Sequence, residues 1–267
     1  MTHFKSVVAM LKKASFMGAF FLLLSCGSAA ATSFCSIKEV SPEYAVRNVV
    51  DGDTIRLQDN RRVRLIGINA PELDGRGRTA EPYAVQAKRR LTALIKANNN
   101  KVSLRVGEQS QDRYGRMLVN LYDRNGVSLE EQMVAEGLAY HVVIAPNVAL
   151  ADCLAQAERY ARRQRLGLWQ SAGFISTHEL NQGGFTLLQG RIQNVQRNRG
   201  GVWLELEHSV SVNIPLSALP YFPNERFAQW QGRRLKARGW VSERRGQSKK
   251  YAKWRLLVSH PAMLELQ

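Results

Sequence analysis

Apolar and polar residues alternate along three successive stretches of the chain, and each alternation ends in a turn signal. Tyr44 to Val50, Asp53 to Asp59 and Arg62 to Ile68 keep a period of two, with Asp51-Gly52 and Asp59-Asn60 between them, so the spacing predicts a three-stranded meander. After Glu72 the stretch LDGRGRT reads as a mobile Gly and Arg loop. From Glu81 the period becomes helical, with Tyr83, Ala87, Leu91 and Leu94 on one stripe until the stop at Asn98-Asn99-Asn100. Lys101 to Val106 and Met117 to Tyr122 are two further strands, separated by a turn at Asp112 to Gly115. Ser128 and Glu131 form a capping box for a helix that buries Leu129, Met133 and Val134 and ends at Gly137. A last helix runs from about Ala149 to Leu166, with Leu150, Leu154, Ala157 and Ala161 on its stripe. Five short strands with helices between and after them predict an α+β, mostly β domain over residues 37–175: a five-stranded barrel of the OB type with helices outside it.

A second run of alternation begins near Gly183. Phe185 to Val195, Gly201 to Leu206, Val210 to Ile214, Arg233 to Val241 and Trp254 to Val258 predict a second small OB-like β barrel over residues 183–267. No internal sequence repeat relates it to the first.

The first 31 residues have a different pattern. Lys5, Lys12 and Lys13 precede an apolar run from Ala14 to Leu24 and then the small-residue segment SCGSAAA, which is the layout of a secretion signal, the run being short for a permanent membrane span. Two processing routes stay open: cleavage after Ala29-Ala30-Ala31, or lipid attachment at Cys26, where Leu23-Leu24-Ser25 resembles a bacterial lipobox and the signal would be residues 1–25. Either route predicts a periplasmic or secreted protein, the second an envelope-anchored lipoprotein. In that oxidising setting Cys35 and Cys153 are expected to pair as a disulfide.

Charge narrows the partner. The 267 residues carry a formal +16, of which +13 lies beyond residue 31 and +9 beyond residue 182. A surplus of this size points to a polyanion, either nucleic acid or an acidic envelope surface. In the last third, Trp230, Trp240, Tyr251 and Trp254 are interleaved with cations. Trp240, Arg238, Lys249, Lys250 and Trp254 are therefore candidate nucleic-acid contacts, with tryptophans as core and cations as solvated rim as the alternative.

The chemistry sits in VVDGDTIRLQDNRRVRLIGINAPE, where Asp51, Asp53 and Glu72 fall near Arg64 at strand ends. Oxygen-only ligands favour calcium or magnesium over zinc, and guanidinium forks match phosphate oxygens. His141, His178, His208 and His260 show no metal-ligand spacing, and no Ser-His-Asp set, phosphate-cradling glycine loop or cysteine-rich zinc pattern occurs.

In order, VVDGDTIRL, VRLIGINAPE, DRYGR and QRLGLW resemble the staphylococcal nuclease family, or thermonucleases, across roughly residues 44–170. The resemblance implies an exported, metal-dependent phosphodiesterase acting on DNA or RNA and leaving a 3′ phosphate. It implies that Asp53 binds Ca2+ directly, with Asp51 close by in the outer shell and the Ala70 backbone carbonyl contributing an oxygen. It also makes Glu72 the base that activates water, and Arg64 and Arg116 the phosphate grip. One position departs from the family: Asn69 stands where a second calcium-binding aspartate is usual. The amide keeps a hard oxygen and removes a charge, so weaker cation binding is expected. The same departure leaves open a nucleic-acid-binding protein without turnover.

Overall fold

A computed structural model describes residues 35–39, 42–74, 79–244 and 251–267. The expected leader with Cys26, residues 75–78 of the Gly and Arg loop, and Lys249 and Lys250 lie outside these residues. The chain runs β1 (Glu43–Val49), β2 (Thr54–Leu57), β3 (Arg62–Leu65), β4 (Ile68–Asn69), α1 (Ala84–Ala97), β5 (Lys101–Gln111), β6 (Met117–Tyr122), α2 (Leu129–Ala135), β7 (Tyr140–His141) and α3 (Ala151–Arg163). It continues through β8 (Ile175–Ser176), β9 (Gly184–Asn198), β10 (Gly201–Leu206), β11 (Val210–Ile214), β12 (Arg234–Glu243), β13 (Trp254–Leu257) and β14 (Leu264–Leu266).

The first five barrel strands close in the order β1-β2-β3-β6-β5, with β3 and β6 parallel and the other pairs antiparallel. Ile55, Leu57, Val63, Leu65, Val102, Val119 and Leu121 fill its core, and Ala87, Leu91 and Ile95 of α1 pack on the same cluster. The second sheet runs β9-β10-β11-β13-β12, and β12 pairs back onto β9 over eight residues from Arg234↔Arg191 to Val241↔Gly184, so it too closes into a ring. Its only parallel barrel pair is β11 with β13. Numbered within each ring, both barrels therefore read 1-2-3-5-4-1, and both make their parallel contact between the third and fifth strands. That shared connectivity is the OB arrangement twice over. Strands β14 and β8 extend the second sheet on β12 and β9.

Several elements end elsewhere than the pattern suggests, for local reasons. The third strand stops at Leu65 because Gly67 turns through φ +83°, and a Cβ there would lie 2.5 Å from Leu154 Cδ1. The chain then leaves the barrel, and Ile68 and Asn69 pair with His141 and Tyr140. Strand β5 runs past Val106 to Gln111, although its last residues have no apolar alternation. The Asn147 side chain accepts from Gln109 N at 2.9 Å and donates to Gln109 O at 3.0 Å, acting there as a surrogate strand. Helix α1 starts three residues later than Glu81 because Tyr83 sits in the left-handed region at φ 69°.

At α2, Ser128 Oγ accepts from Glu131 N at 3.2 Å, as the capping box requires, while the Glu131 carboxylate accepts from Cys35 N at 3.1 Å. Next to it, Glu130 is fully buried, accepting from Leu121 N and Ser128 Oγ at 2.8 Å each. Burial pushes its carboxyl from 4.5 up to about 7. A carboxyl raised in the folded state keeps its proton where the unfolded chain has lost it. The fold thus bears no penalty from Glu130 below the ordinary value, and loses about 3 kcal/mol as pH rises through the window between the two values. Glu130→Gln should gain stability relative to wild type across that window in urea titrations. Parallel curves would mean that Glu130 stays ionised in the fold.

The two barrels meet along β7 and α3, and the described residues form one compact unit. Val142, Val143 and Ala151 join the core cluster of the second barrel. Tyr140 packs between Trp169 and Phe185, with ring centroids 5.4 and 5.2 Å away. Arg238 of β12 donates to Glu158 of α3 and, at 3.1 Å, to Glu265 of β14. The sequence reading placed Arg238 and Trp254 on a nucleic-acid surface; each is only 4% exposed. Arg238 is spent on the junction between the barrels, and Trp254 points into the second core beside Leu256. Trp240, by contrast, is 43% exposed and rests against Phe185.

Candidate active site

The β1–β2 turn is held against the barrel by the absence of a side chain. A Cβ on Gly52 would come within 2.6 Å of Ala70 Cβ and 2.7 Å of Ala87 Cβ, so only glycine lets the turn touch both the Ala70 segment and α1. Within the turn, Asp53 N donates to Asp51 Oδ1 at 3.0 Å. This ties the two aspartates together and turns the Asp53 side chain inward.

Asp53 is 6% exposed. Its Oδ2 accepts from Ala70 N at 2.8 Å and pairs with Arg64 Nη2 at 3.0 Å, and its Oδ1 accepts from Thr54 Oγ1 at 3.0 Å. Arg64 reaches it from β3, where it lies opposite Thr54. The same guanidinium donates to Leu65 O at 2.8 Å and to Asn69 Oδ1 at 3.4 Å. Burial pushes the Asp53 carboxyl up to about 7 despite Arg64, which draws it down, with Asp51 adding to the rise. A buried acid whose single cationic neighbour does not offset its desolvation is a group that further positive charge stabilises in its ionised form.

Glu72 and Arg116 have their own partners. Glu72 is exposed just beyond Pro71, and its backbone is clamped to the start of the next segment: Glu72 N donates to Glu81 Oε2 at 3.0 Å, and Glu81 N to Glu72 O at 2.9 Å. Arg116 leads into β6, two residues before Leu118, which pairs with Arg64 on β3. Its Nε donates to Asp112 Oδ2 at 2.6 Å, and Asp112 Oδ1 accepts from the backbone N of Tyr114 and of Arg116. Asp51, Asp53, Arg64, Asn69 and Ala70 are thus gathered, while Glu72 and Arg116 are engaged with Glu81 and Asp112. Among the described residues no group of three or more His, Cys, Asp and Glu is arranged to hold a metal.

The side-chain oxygens assembled here are two carboxylates and one amide. That donor chemistry fits a hard divalent cation, with a low count of charged ligands. Thr54 bonds Asp53, Glu81 the Glu72 backbone and Asp112 the Arg116 guanidinium, and none of the three is a site candidate from sequence. Asp112 carried a signal, since an aspartate accepting from residues two and four ahead, with Gly115 at φ +71°, is what DRYGR spells. Glu81 carried none, because its contact depends on how the Glu72 segment folds back.

A model of the staphylococcal nuclease homologue family matches residues 62–171, which is most of the first barrel and its helices. The thermonuclease of Staphylococcus hyicus is 31% identical over 135 residues, 48% of this chain and 76% of that protein. The SPbeta prophage-derived endonuclease YokF of Bacillus subtilis is 30% identical over 143 residues, 52% of this chain and 48% of YokF. Endonuclease YncB of the same organism is 29% identical, and 64% of its length is covered. This chain therefore spans about half to two thirds of those two Bacillus proteins.

Proposed function

We propose that this chain, which belongs to the staphylococcal nuclease homologue family, is an exported, metal-dependent nuclease that hydrolyses phosphodiester bonds of DNA or RNA. The observation that carries the reading is the cluster of Asp53 with Arg64, Asn69 and Ala70 N at the mouth of the first barrel. Asp53, Asp51, Asn69 and the Ala70 carbonyl would hold the cation, calcium first. When bound, it supplies positive charge against the phosphate.

The remaining work falls to the chain's own groups. Arg64, anchored on Asp53 and Leu65 O, presents a guanidinium to the phosphate oxygens at an angle fixed by two existing contacts. Arg116 offers a second fork once substrate competes with Asp112 for it. Glu72, exposed and clamped through its backbone, accepts the proton of the attacking water as the new O–P bond forms and the bond to the departing sugar oxygen breaks. Export is supported by the charged and apolar layout of residues 1–31.

Digestion of single-stranded and duplex DNA and of RNA, with calcium, magnesium or a chelator, tests this directly. Cleavage should require a divalent ion and fall at least about 100-fold in Glu72→Gln. Asn69 favours one rival, a nucleic-acid-binding protein without turnover. Tight binding with no cleavage under any divalent ion would establish it.

A further inference from the structure

The outer wall of the second barrel carries a cluster that hydrolysis at the first does not use. Val202, Leu204 and Leu206 of β10 point into the core, so strand alternation turns Trp203 outward. The register sets Asn213 of β11 opposite Trp203, and Arg255 of β13 opposite Ser211, two residues before Asn213. Trp203, Asn213 and Arg255 therefore share one face across three adjacent strands. The Arg255 guanidinium lies over the Trp203 ring at 5.1 Å and donates to Asn213 Oδ1. Arg244, the residue after β12, lies 6.0 Å from the same ring and 4.8 Å from that of Tyr251, which is 53% exposed.

The indole is set in place. Trp203 Nε1 donates to Asn198 Oδ1 at 3.0 Å, and the adjacent Gly200 leaves the ring uncrowded, since a Cβ there would sit 3.3 Å from Trp203 Cζ2. Exposed Arg197 and Arg199 flank this first hairpin of the barrel. The nearby acids have other partners: Glu205 accepts from Asn194, and Glu243 pairs with Lys253. In an OB ring this is the wall of the second and third strands, between the first hairpin and the connection from fourth to fifth strand, where the architecture accommodates oligonucleotides.

We propose that this face binds single-stranded nucleic acid, with bases stacking on Trp203 and Tyr251 and phosphates held by Arg244 and Arg255. The net +9 beyond residue 182 supplies charge complementarity. Unpaired strands are the fit because stacking on a side chain needs a free base face, which a duplex withholds. The inference rests on the reading that this chain handles nucleic acid, but not on its cutting it.

The test is fluorescence anisotropy of a labelled oligothymidylate of about 20 nucleotides with the full chain carrying Glu72→Gln, so that the probe survives. Trp203→Ala should weaken binding about tenfold with the salt slope kept, and Trp203→Phe should retain most of it. Arg244→Gln with Tyr251→Ser, both at the periphery, should weaken binding and flatten the salt slope by about one unit; this pair carries the test if the tryptophan variant fails to fold. Unchanged affinity in a folded variant, or a preference for duplex over the single strand, overturns the proposal. A protein that cuts DNA yet binds independently of Trp203 sinks this inference alone. One that binds through Trp203 yet never cuts sinks only the nuclease reading.

Discussion

Arg238→Ala is expected to cost about 3–5 kcal/mol of stability, because it strands a buried carboxylate. Arg238 and Glu158 each have side chains 4% exposed, and they pair directly across the junction of the barrels. Glu158 Oε1 also accepts from His141 N at 3.0 Å, and Arg238 Nη1 donates to His141 O, so the pair fastens both sides of the same β7 residue. With the guanidinium gone, Glu158 keeps a single backbone donor in a site with little water. Replacing both partners by apolar residues, as in Arg238→Met with Glu158→Leu, should recover most of the loss. Denaturant titrations of the two single variants and the double variant measure it. A loss in Arg238→Ala below about 1 kcal/mol would show that water reaches Glu158.

The consequence extends to the site. Strand β7 pairs with β4, so His141, gripped by Arg238 and Glu158, lies opposite Ile68, and its neighbour Tyr140 lies opposite Asn69. The second barrel therefore holds, through β7, the segment that leads from Asn69 to Glu72. None of this is legible in a linear pattern. Arg238 sits in a basic, aromatic-rich stretch and reads as surface; only the docking of β12 against α3 makes it interior.

Elsewhere the strand period carried the fold well, and its failures are instructive. The alternation of β10 to β13 located the second barrel, but closure of β12 onto β9 is a long-range pairing with no local signature. The identity of connectivity between the barrels likewise needed the structure, since topology repeats here without a repeat in sequence. In β13 the aromatic drew attention to Trp254, whereas the period puts Trp254 and Leu256 inward and turns Arg255 out. A slip of one residue exchanges the core for the surface. The site was more legible. Asp51, Asp53, Arg64, Asn69 and Ala70 come together because turn chemistry at Gly52 and strand pairing of Thr54 with Arg64 are both local. Partners that bind Glu72 and Arg116 from a distance, such as Glu81, were hidden.

Opening the Cys35–Cys153 disulfide is expected to cost about 5 kcal/mol in the chain-entropy picture, given the 118-residue separation it bridges. Cys35 is 3% exposed, and its Cα lies 5.5 Å from that of Cys153 on α3. The segment around it is fastened by little else among the described residues: Cys35 N donates to Glu131 and Ile37 N to Gly126 O. Two backbone bonds of about 1 kcal/mol each do not replace the loop constraint. Cys35→Ser with Cys153→Ser should therefore shift the denaturation midpoint far below that of the oxidised protein, and adding reductant to wild type should bring it to the same place. Any cleavage by the folded fraction should persist in both, because Asp53 and Arg64 are bonded directly by Thr54, Leu65 and Ala70, and α3 reaches β7 through Glu158 rather than through Cys153. Equal midpoints for oxidised and reduced wild type would mean that the bond constrains a loop already closed in the unfolded ensemble. Loss of cleavage alongside full stability would mean that the bond acts on the site itself.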